Sequence, residues 1–311
     1  MSVPQISITI NDRSVSVRSN ATLLQACESV GVEVPRFCYH ESLSVAGNCR
    51  RCLVEVKGSP KPVVSCARPV SKGRILYTET PLVRKAREAV LEFLLLNHPL
   101  DCPICDQGGE CDLQEEALTY GSDRGRTVEV KRSVEDKECG PVVKSIRTRC
   151  IHCTRCIRFS TEIAGRERLG AFGRGEETEI GAYLSTRLRT ELAGNLVDLC
   201  PVGALTSKPY AYRARPWELR RLDSLDPFDA IASEVSLHVR GSTTASANSL
   251  VGRPGSPIPV SPIAYASPSV SAAAAASTPV ISASPSLLRG RSEGEQILRV
   301  LPRVPAVSGE N

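Results

Sequence analysis

Residues 150–156 read Cys-Ile-His-Cys-Thr-Arg-Cys, and a fourth cysteine, Cys200, is followed at once by Pro201. Three cysteines on one tight turn, closed by a remote Cys-Pro, form the ferredoxin-type ligand pattern for a 4Fe-4S cluster: the turn covers three irons and the distant thiolate the fourth. A two-cluster ferredoxin would carry another Cys-Pro four residues after Cys156, but Ser160 stands there. The run therefore specifies one cluster, with Cys150, Cys153, Cys156 and Cys200 as its ligands.

Upstream lie two more four-ligand sets. Cys38, Cys49, Cys52 and Cys66 follow the spacing C-x10-C-x2-C-x13-C. A 2Fe-2S cluster takes two thiolates on each iron, and the small residues Ala46, Gly47 and Asn48 suit a backbone that wraps it and donates N–H bonds to sulfur. A zinc site also accepts four cysteines, but usually as two short knuckles rather than after a long lead-in loop. His98, Cys102, Cys105 and Cys111 follow H-x3-C-x2-C-x5-C. On spacing alone this set is open between a zinc site of three cysteines and a histidine and a 4Fe-4S cluster; two neighbouring cluster motifs favour the cluster. A neutral imidazole in place of one thiolate lowers the negative charge and favours the reduced state.

Cys27 and Cys139 are left over, the first as a small buried hydrophobe on a helix face and the second with no partner near it in sequence. Arg147, Arg149, Arg155 and Arg158 surround the third set, either to offset cluster charge or as a solvated basic face. No Gly-rich dinucleotide fingerprint, phosphate loop or nucleophile with its base is present.

The 311 residues allow two or three domains, and thirteen cysteines without an apolar leader point to metal ligation rather than disulfides. A net charge of +5 from 39 basic and 34 acidic residues makes no case for nucleic acid. No apolar run is long enough to span a bilayer, so membrane attachment is expected only through partners.

The alternating segments 5–10 and 14–18 around Asn11-Asp12 predict a hairpin, followed by a helix capped by Thr22 with Gln25 in the capping-box position. Strands are expected at 53–56, 63–65 and 74–77. A second helix begins at Thr80-Pro81 with its stripe on Val83, Ala86, Val90, Leu94 and Asn97, and it delivers His98 at its end. These elements divide the chain into an α+β unit at 1–80, a small helical His/Cys unit at 81–121, a polar segment at 119–137 and a four-cysteine unit at 138–217. A short region at 218–241 and a low-complexity tail at 242–311, rich in Ser, Ala and Pro and expected to be disordered, complete it.

The three spacings in this order, with HPLDCPICDQGGECDLQ (98–114), RCIHCTRCIRF (149–159), LGAFGRGEETEIG (169–181) and DLCPVGALTSKPYAYRARPWE (198–218), resemble the large iron-sulfur subunit of the peripheral arm of respiratory NADH:ubiquinone oxidoreductase. The resemblance covers residues 5–240. It implies a 2Fe-2S ferredoxin-like β-grasp domain, a His/Cys 4Fe-4S domain and a ferredoxin-like 4Fe-4S domain, holding one 2Fe-2S and two 4Fe-4S clusters on the three sets above. It also implies relay of single electrons from an FMN-binding flavoprotein subunit, which oxidises NADH, toward quinone-proximal iron-sulfur subunits, with no NADH or quinone site on this chain. The location implied is the matrix side of the mitochondrial inner membrane, or the cytoplasmic face of a bacterial one. Two other readings stay open: the diaphorase subunit of an NAD-linked hydrogenase or formate dehydrogenase, and a zinc-stabilised scaffold. Residues 218–241 resemble the start of the family's molybdopterin-oxidoreductase-like domain, which is cut short here. SEVSLHVRG (233–241) and SEGEQILRVLPR (292–303) resemble neighbouring pieces of the family's sequence, so the stretch between them is expected to be an insertion in a fragment or split-gene product.

Overall fold

The computed structural model describes residues 4–182, 188, 190–226 and 233–240, together with the backbone of 296–302. Its first unit opens with the expected hairpin, β1 (Gln5–Ile10) against β2 (Arg13–Arg18). Asn11 and Asp12 both take positive φ, 47° and 68°, the tight turn whose twist matches the flanking strands. The Asn11 amide fastens this turn, donating to Thr78 Oγ1 at 2.8 Å and accepting from the Thr78 N–H at 2.9 Å.

Helix α1 (Leu23–Glu28) carries the capping box the sequence predicts: Gln25 N–H donates to Thr22 Oγ1 at 3.3 Å, and Thr22 N–H to Gln25 Oε1 at 3.0 Å. Its apolar face, Leu23, Leu24 and Cys27, packs on Ile8, Ile10, Val54 and Leu76. Strands β3 (Leu53–Val56), β4 (Val63–Val64) and β5 (Ile75–Tyr77) complete one sheet of order β2-β1-β5-β3-β4, with β1 and β5 parallel. A mixed sheet of this order crossed by one helix is the β-grasp arrangement. Between α1 and β3 runs an irregular loop, and this loop holds three cysteines of the first set.

Helix α2 (Pro81–Leu96) starts at Thr80, whose hydroxyl accepts from Val83 N–H at 3.3 Å. The buried face differs from the expected stripe: it runs through Val83, Arg87 and Leu91. A search for apolar periodicity skips Arg87, yet its guanidinium is buried because it hydrogen-bonds the Leu53 carbonyl. Helix α3 (Asp112–Tyr120) completes this unit. The polar segment after it bridges back to α2: Lys131 Nζ donates to the Leu95 and Leu96 carbonyls at 2.9 Å each, a cation closing the helix C-terminus.

The third unit holds β6 (Val143–Ser145), α4 (Arg155–Arg158), β7 (Leu169–Phe172), β8 (Glu179–Ala182), α5 (Asn195–Leu199) and β9 (Leu205–Ser207). Strands β6 and β9 pair antiparallel, as do β7 and β8. Each is three or four residues long, too short to leave a periodic signal in the sequence.

Beyond it, β10 (Arg220–Leu225), β11 (Glu234–Arg240) and β12 (Gln296–Pro302) form an antiparallel sheet in that order. Most of the expected low-complexity tail lies outside the described residues. Residues 296–302 correct that expectation: the run Ile-Leu-Arg-Val-Leu is strand-forming and pairs with β11, from Val235 opposite Pro302 to Arg240 opposite Gln296. The two pieces flanking the expected insertion are thus neighbours in one sheet.

Candidate metal centres

All four thiols of the first set are buried. Gly47 and Arg50 take positive φ, 64° and 57°, and so bend the loop around the sulfurs. Cys38 hydrogen-bonds to the Cys49 and Cys66 thiols, and Cys52 to Cys66. Backbone N–H groups also point inward, that of Cys38 to Cys49 Sγ at 3.4 Å. Thiol hydrogen bonds draw Cys38 down to about 2 and Cys52 to about 7, while thiol contacts and burial push Cys49 and Cys66 up. Four sulfurs converging in one dry pocket suit a thiolate-held cluster.

In the third set, His152 and Thr154 alternate with the cysteines in left-handed conformations, φ 54° and 62°. This turn brings Cys150, Cys153 and Cys156 to one cavity, and Cys200 reaches it from the end of α5. Burial pushes Cys150, Cys153 and Cys200 up to about 11 each, and raises Cys156 well above the usual thiol value as well. The arginines are not a solvated face. Arg147, Arg149 and Arg155 are 5%, 2% and 9% exposed, and the Arg147, Arg155 and Arg158 charges act on the cysteine thiols to favour the thiolate. Ser160 is buried with its hydroxyl committed to the Arg166 carbonyl, consistent with one cluster here. Cys139, which has no partner near it in sequence, lines the same cavity, because a backbone bond from Leu188 N–H holds its carbonyl there.

In the second set, Cys105 and Cys111 are buried and near enough for their charges to interact, while Cys102 is exposed. Cys111 precedes α3, and the Leu113 and Gln114 N–H groups of its first turn favour the thiolate, though burial still lifts it to about 11. His98 follows the end of α2. Burial first, then Lys131 and Arg149, push it down to about 4, so its ring is neutral, and its buried Nδ1 has no hydrogen-bond partner among the described residues. A neutral imidazole with an unused nitrogen fits metal ligation. Among the described residues no three His, Cys, Asp or Glu side chains gather around a point suited to a single metal ion.

The three sets meet. Cys38, Cys49, Cys111 and Cys153 share one apolar core with Phe37, Leu91, Leu113 and Val202. Arg158 donates to the carbonyls of both Cys38 and Cys153, Arg155 to Tyr39 O at 2.7 Å, and Asn48 to His152 O at 3.1 Å. On the other side, Cys111 Sγ lies 3.7 Å from Pro201 O, and a Cβ on Gly203 would land on Cys105 Sγ. Arg149 also pairs with Asp101 at 3.0 Å. The surroundings of the Cys150 set therefore touch both of the other sets, although it comes last in the chain.

Three families match along the chain: a 2Fe-2S iron-sulfur cluster binding domain at residues 4–81, the NADH-ubiquinone oxidoreductase-G iron-sulfur binding region at 87–126, and the NADH-quinone oxidoreductase subunit 3 ferredoxin-like domain at 140–206. The NADH-ubiquinone oxidoreductase 75 kDa subunit of Reclinomonas americana is 63% identical over 237 residues, covering 76% of this chain and 34% of that protein. The mitochondrial 78 kDa subunit of Neurospora crassa is 58% identical over 239 residues, covering 76% and 32%. The mitochondrial NADH dehydrogenase [ubiquinone] iron-sulfur protein 1 of Solanum tuberosum is 58% identical over 236 residues, covering the same shares. Among solved structures, a chain of the NAD+-reducing [NiFe]-hydrogenase in the H2-reduced state superposes with a TM-score of 0.62 at 28% identity, covering 68% of this chain and 90% of that one. The chain spans about a third of the length of the curated relatives it matches. Over about three-quarters of its length it is similar to the 75 kDa iron-sulfur subunits of NADH-ubiquinone oxidoreductase.

Proposed function

We infer that this chain is the cluster-bearing part of a respiratory NADH dehydrogenase subunit, relaying single electrons from an FMN-binding flavoprotein subunit toward quinone-proximal iron-sulfur subunits. The observation that carries this reading is the shared core in which ligands of all three sets pack within one apolar seam. Residues 1–80 hold one 2Fe-2S cluster on Cys38, Cys49, Cys52 and Cys66. Residues 81–121 hold a 4Fe-4S cluster on His98, Cys102, Cys105 and Cys111, and residues 138–217 a second on Cys150, Cys153, Cys156 and Cys200. Residues 218–241 begin a further domain of molybdopterin-oxidoreductase type. Once loaded, the clusters supply one-electron donors and acceptors. The protein's own part is to exclude water, fix the spacing of the first and third sites through Arg155, Arg158 and Asn48, and hold His98 neutral. No helix among the described residues is long and apolar enough to cross a membrane, so attachment to the mitochondrial inner membrane, on the matrix side, runs through partner subunits.

The hydrogenase superposition supports a second reading, a diaphorase-type subunit of an NAD-linked enzyme. The 63% identity to a respiratory subunit against 28% to the hydrogenase chain favours the first.

Anaerobic reconstitution with iron and sulfide tests the cluster assignment. About ten irons with matching acid-labile sulfide, and low-temperature EPR resolving one 2Fe-2S and two 4Fe-4S signals of which H98A alters only one, support it. Stoichiometric zinc and a colourless protein would end it.

A further inference from the structure

Arg51 lies between two ligands of the first set, Cys49 and Cys52, and its side chain is completely buried. Its backbone N–H points to the Cys49 thiol. Its guanidinium turns away toward α2 and α3: Nε meets Glu116 Oε2 at 2.6 Å, Nη1 donates to the Arg87 carbonyl, and the group lies over the Phe37 and Tyr120 rings at 5.9 and 5.6 Å. Arg87 is equally buried, also lies over the Tyr120 ring at 5.6 Å from its centroid, and interacts electrostatically with Cys52.

Two buried guanidinia face one buried carboxylate, since Glu79, 3.5 Å from Arg87, is half exposed and its charge is screened by solvent. The arrangement is costly. Each buried ion loses several kcal/mol of hydration, and apolar side chains of similar volume commonly pack at no loss of stability. Arg51 Nη2 finds no hydrogen-bond partner among the described residues. Hydrogen-bond satisfaction alone therefore does not account for the second positive charge.

A group that gains an electron is favoured by positive charge nearby in a low-dielectric setting. We propose that Arg51 and Arg87, only partly offset by Glu116, hold a net positive charge against the first ligand set and raise the reduction potential of the 2Fe-2S site. Arg51 is then a positioning residue as well, since it joins the ligand loop to α3. This inference rests on the 2Fe-2S assignment made above.

The test is a redox titration of the reconstituted full chain, followed by the 2Fe-2S EPR signal. R51M removes one positive charge and lowers the reduced-to-oxidised ratio at fixed poise at least tenfold, about 59 mV for a one-electron couple. E116Q removes the negative charge and shifts the ratio the opposite way. R51M/E116Q restores the charge balance and returns to within threefold of the wild type, as does R51K alone. A merely structural role predicts that both single changes move the potential in one direction and that the double change is worst; that result, or unmoved midpoints, overturns the proposal. A wild-type chain without a 2Fe-2S signal overturns the cluster assignment itself, whereas a normal signal with unshifted variants overturns the tuning alone.

Discussion

Replacing Arg158 by alanine removes a single guanidinium that joins the first ligand loop to the third. That group donates to the carbonyls of Ser44, Cys38 and Cys153. Hydrogen bonds from a charged donor contribute about 1.5–3 kcal/mol where water is excluded, but Arg158 is only half-buried and water will take over part of each bond. The Cys153 carbonyl belongs to the same unit as Arg158, so only the Ser44 and Cys38 contacts dock the first loop; at about 1 kcal/mol each they sum to about 2 kcal/mol, about thirtyfold in the opening equilibrium. Hydrogen–deuterium exchange of the reconstituted chain measures it. In R158A the amides of residues 38–49 should exchange about thirtyfold faster, while those of the β1–β2 hairpin keep their protection, because the hairpin core does not involve Arg158. R158K should fall between, since one ammonium lacks the fork that serves separate carbonyls. Exchange of the 38–49 amides within threefold of the wild type would refute the docking role.

Three further changes follow from the same geometry. T22A removes the hydroxyl that caps α1 and should lower stability by about 1 kcal/mol, read as a shift in the denaturant midpoint of the first unit; no shift would mean that Gln25 alone holds the helix start. G203A drives a Cβ onto Cys105 Sγ with Gln107 Cβ 3.1 Å away beside it, so it should abolish the EPR signal of the His98 set and spare the 2Fe-2S signal; an unchanged spectrum would place Cys105 outside the ligand set. L91A empties a fully buried position in the seam shared by the three sets and should cost about 2–5 kcal/mol by thermal unfolding, with a loss under about 1 kcal/mol arguing that the seam closes on itself.

Local signals in the sequence were strong wherever one residue type meets a specific backbone need. Asn11-Asp12 turned as a hairpin because both residues tolerate positive φ, and Thr22 with Gln25 capped a helix because their side chains reach unpaired N–H groups. The spacing of the first and third sets likewise anticipated sulfurs that share a pocket, since short cysteine intervals limit where thiols can go. What stayed hidden were pairings between distant segments. Arg87 faces the core because Leu53, far away in the chain, offers a carbonyl, and Cys139 reaches the third cavity through a backbone bond with Leu188. Arg155 and Arg158 could be read as a surface because charge patterning says nothing of which carbonyls lie opposite. The short strands β6 and β9 exist only as each other's partners.

The mismatch between chain order and spatial order bears on how the molecule is assembled. The unit that touches both other ligand sets is made by residues 150–204, so a growing chain exposes those sets before their shared cover has been synthesised. Arg158 closes that cover by reaching back 120 residues to Cys38, a long-range closure of the kind that folds late. Until it closes, the thiols of Cys38, Cys49, Cys105 and Cys111 lack the cover that residues 150–204 give them, and the apolar seam is open to non-native contacts. On the cluster assignment proposed above, delivery to the first two sites has this interval in which to act, and docking of the third unit then seals them in.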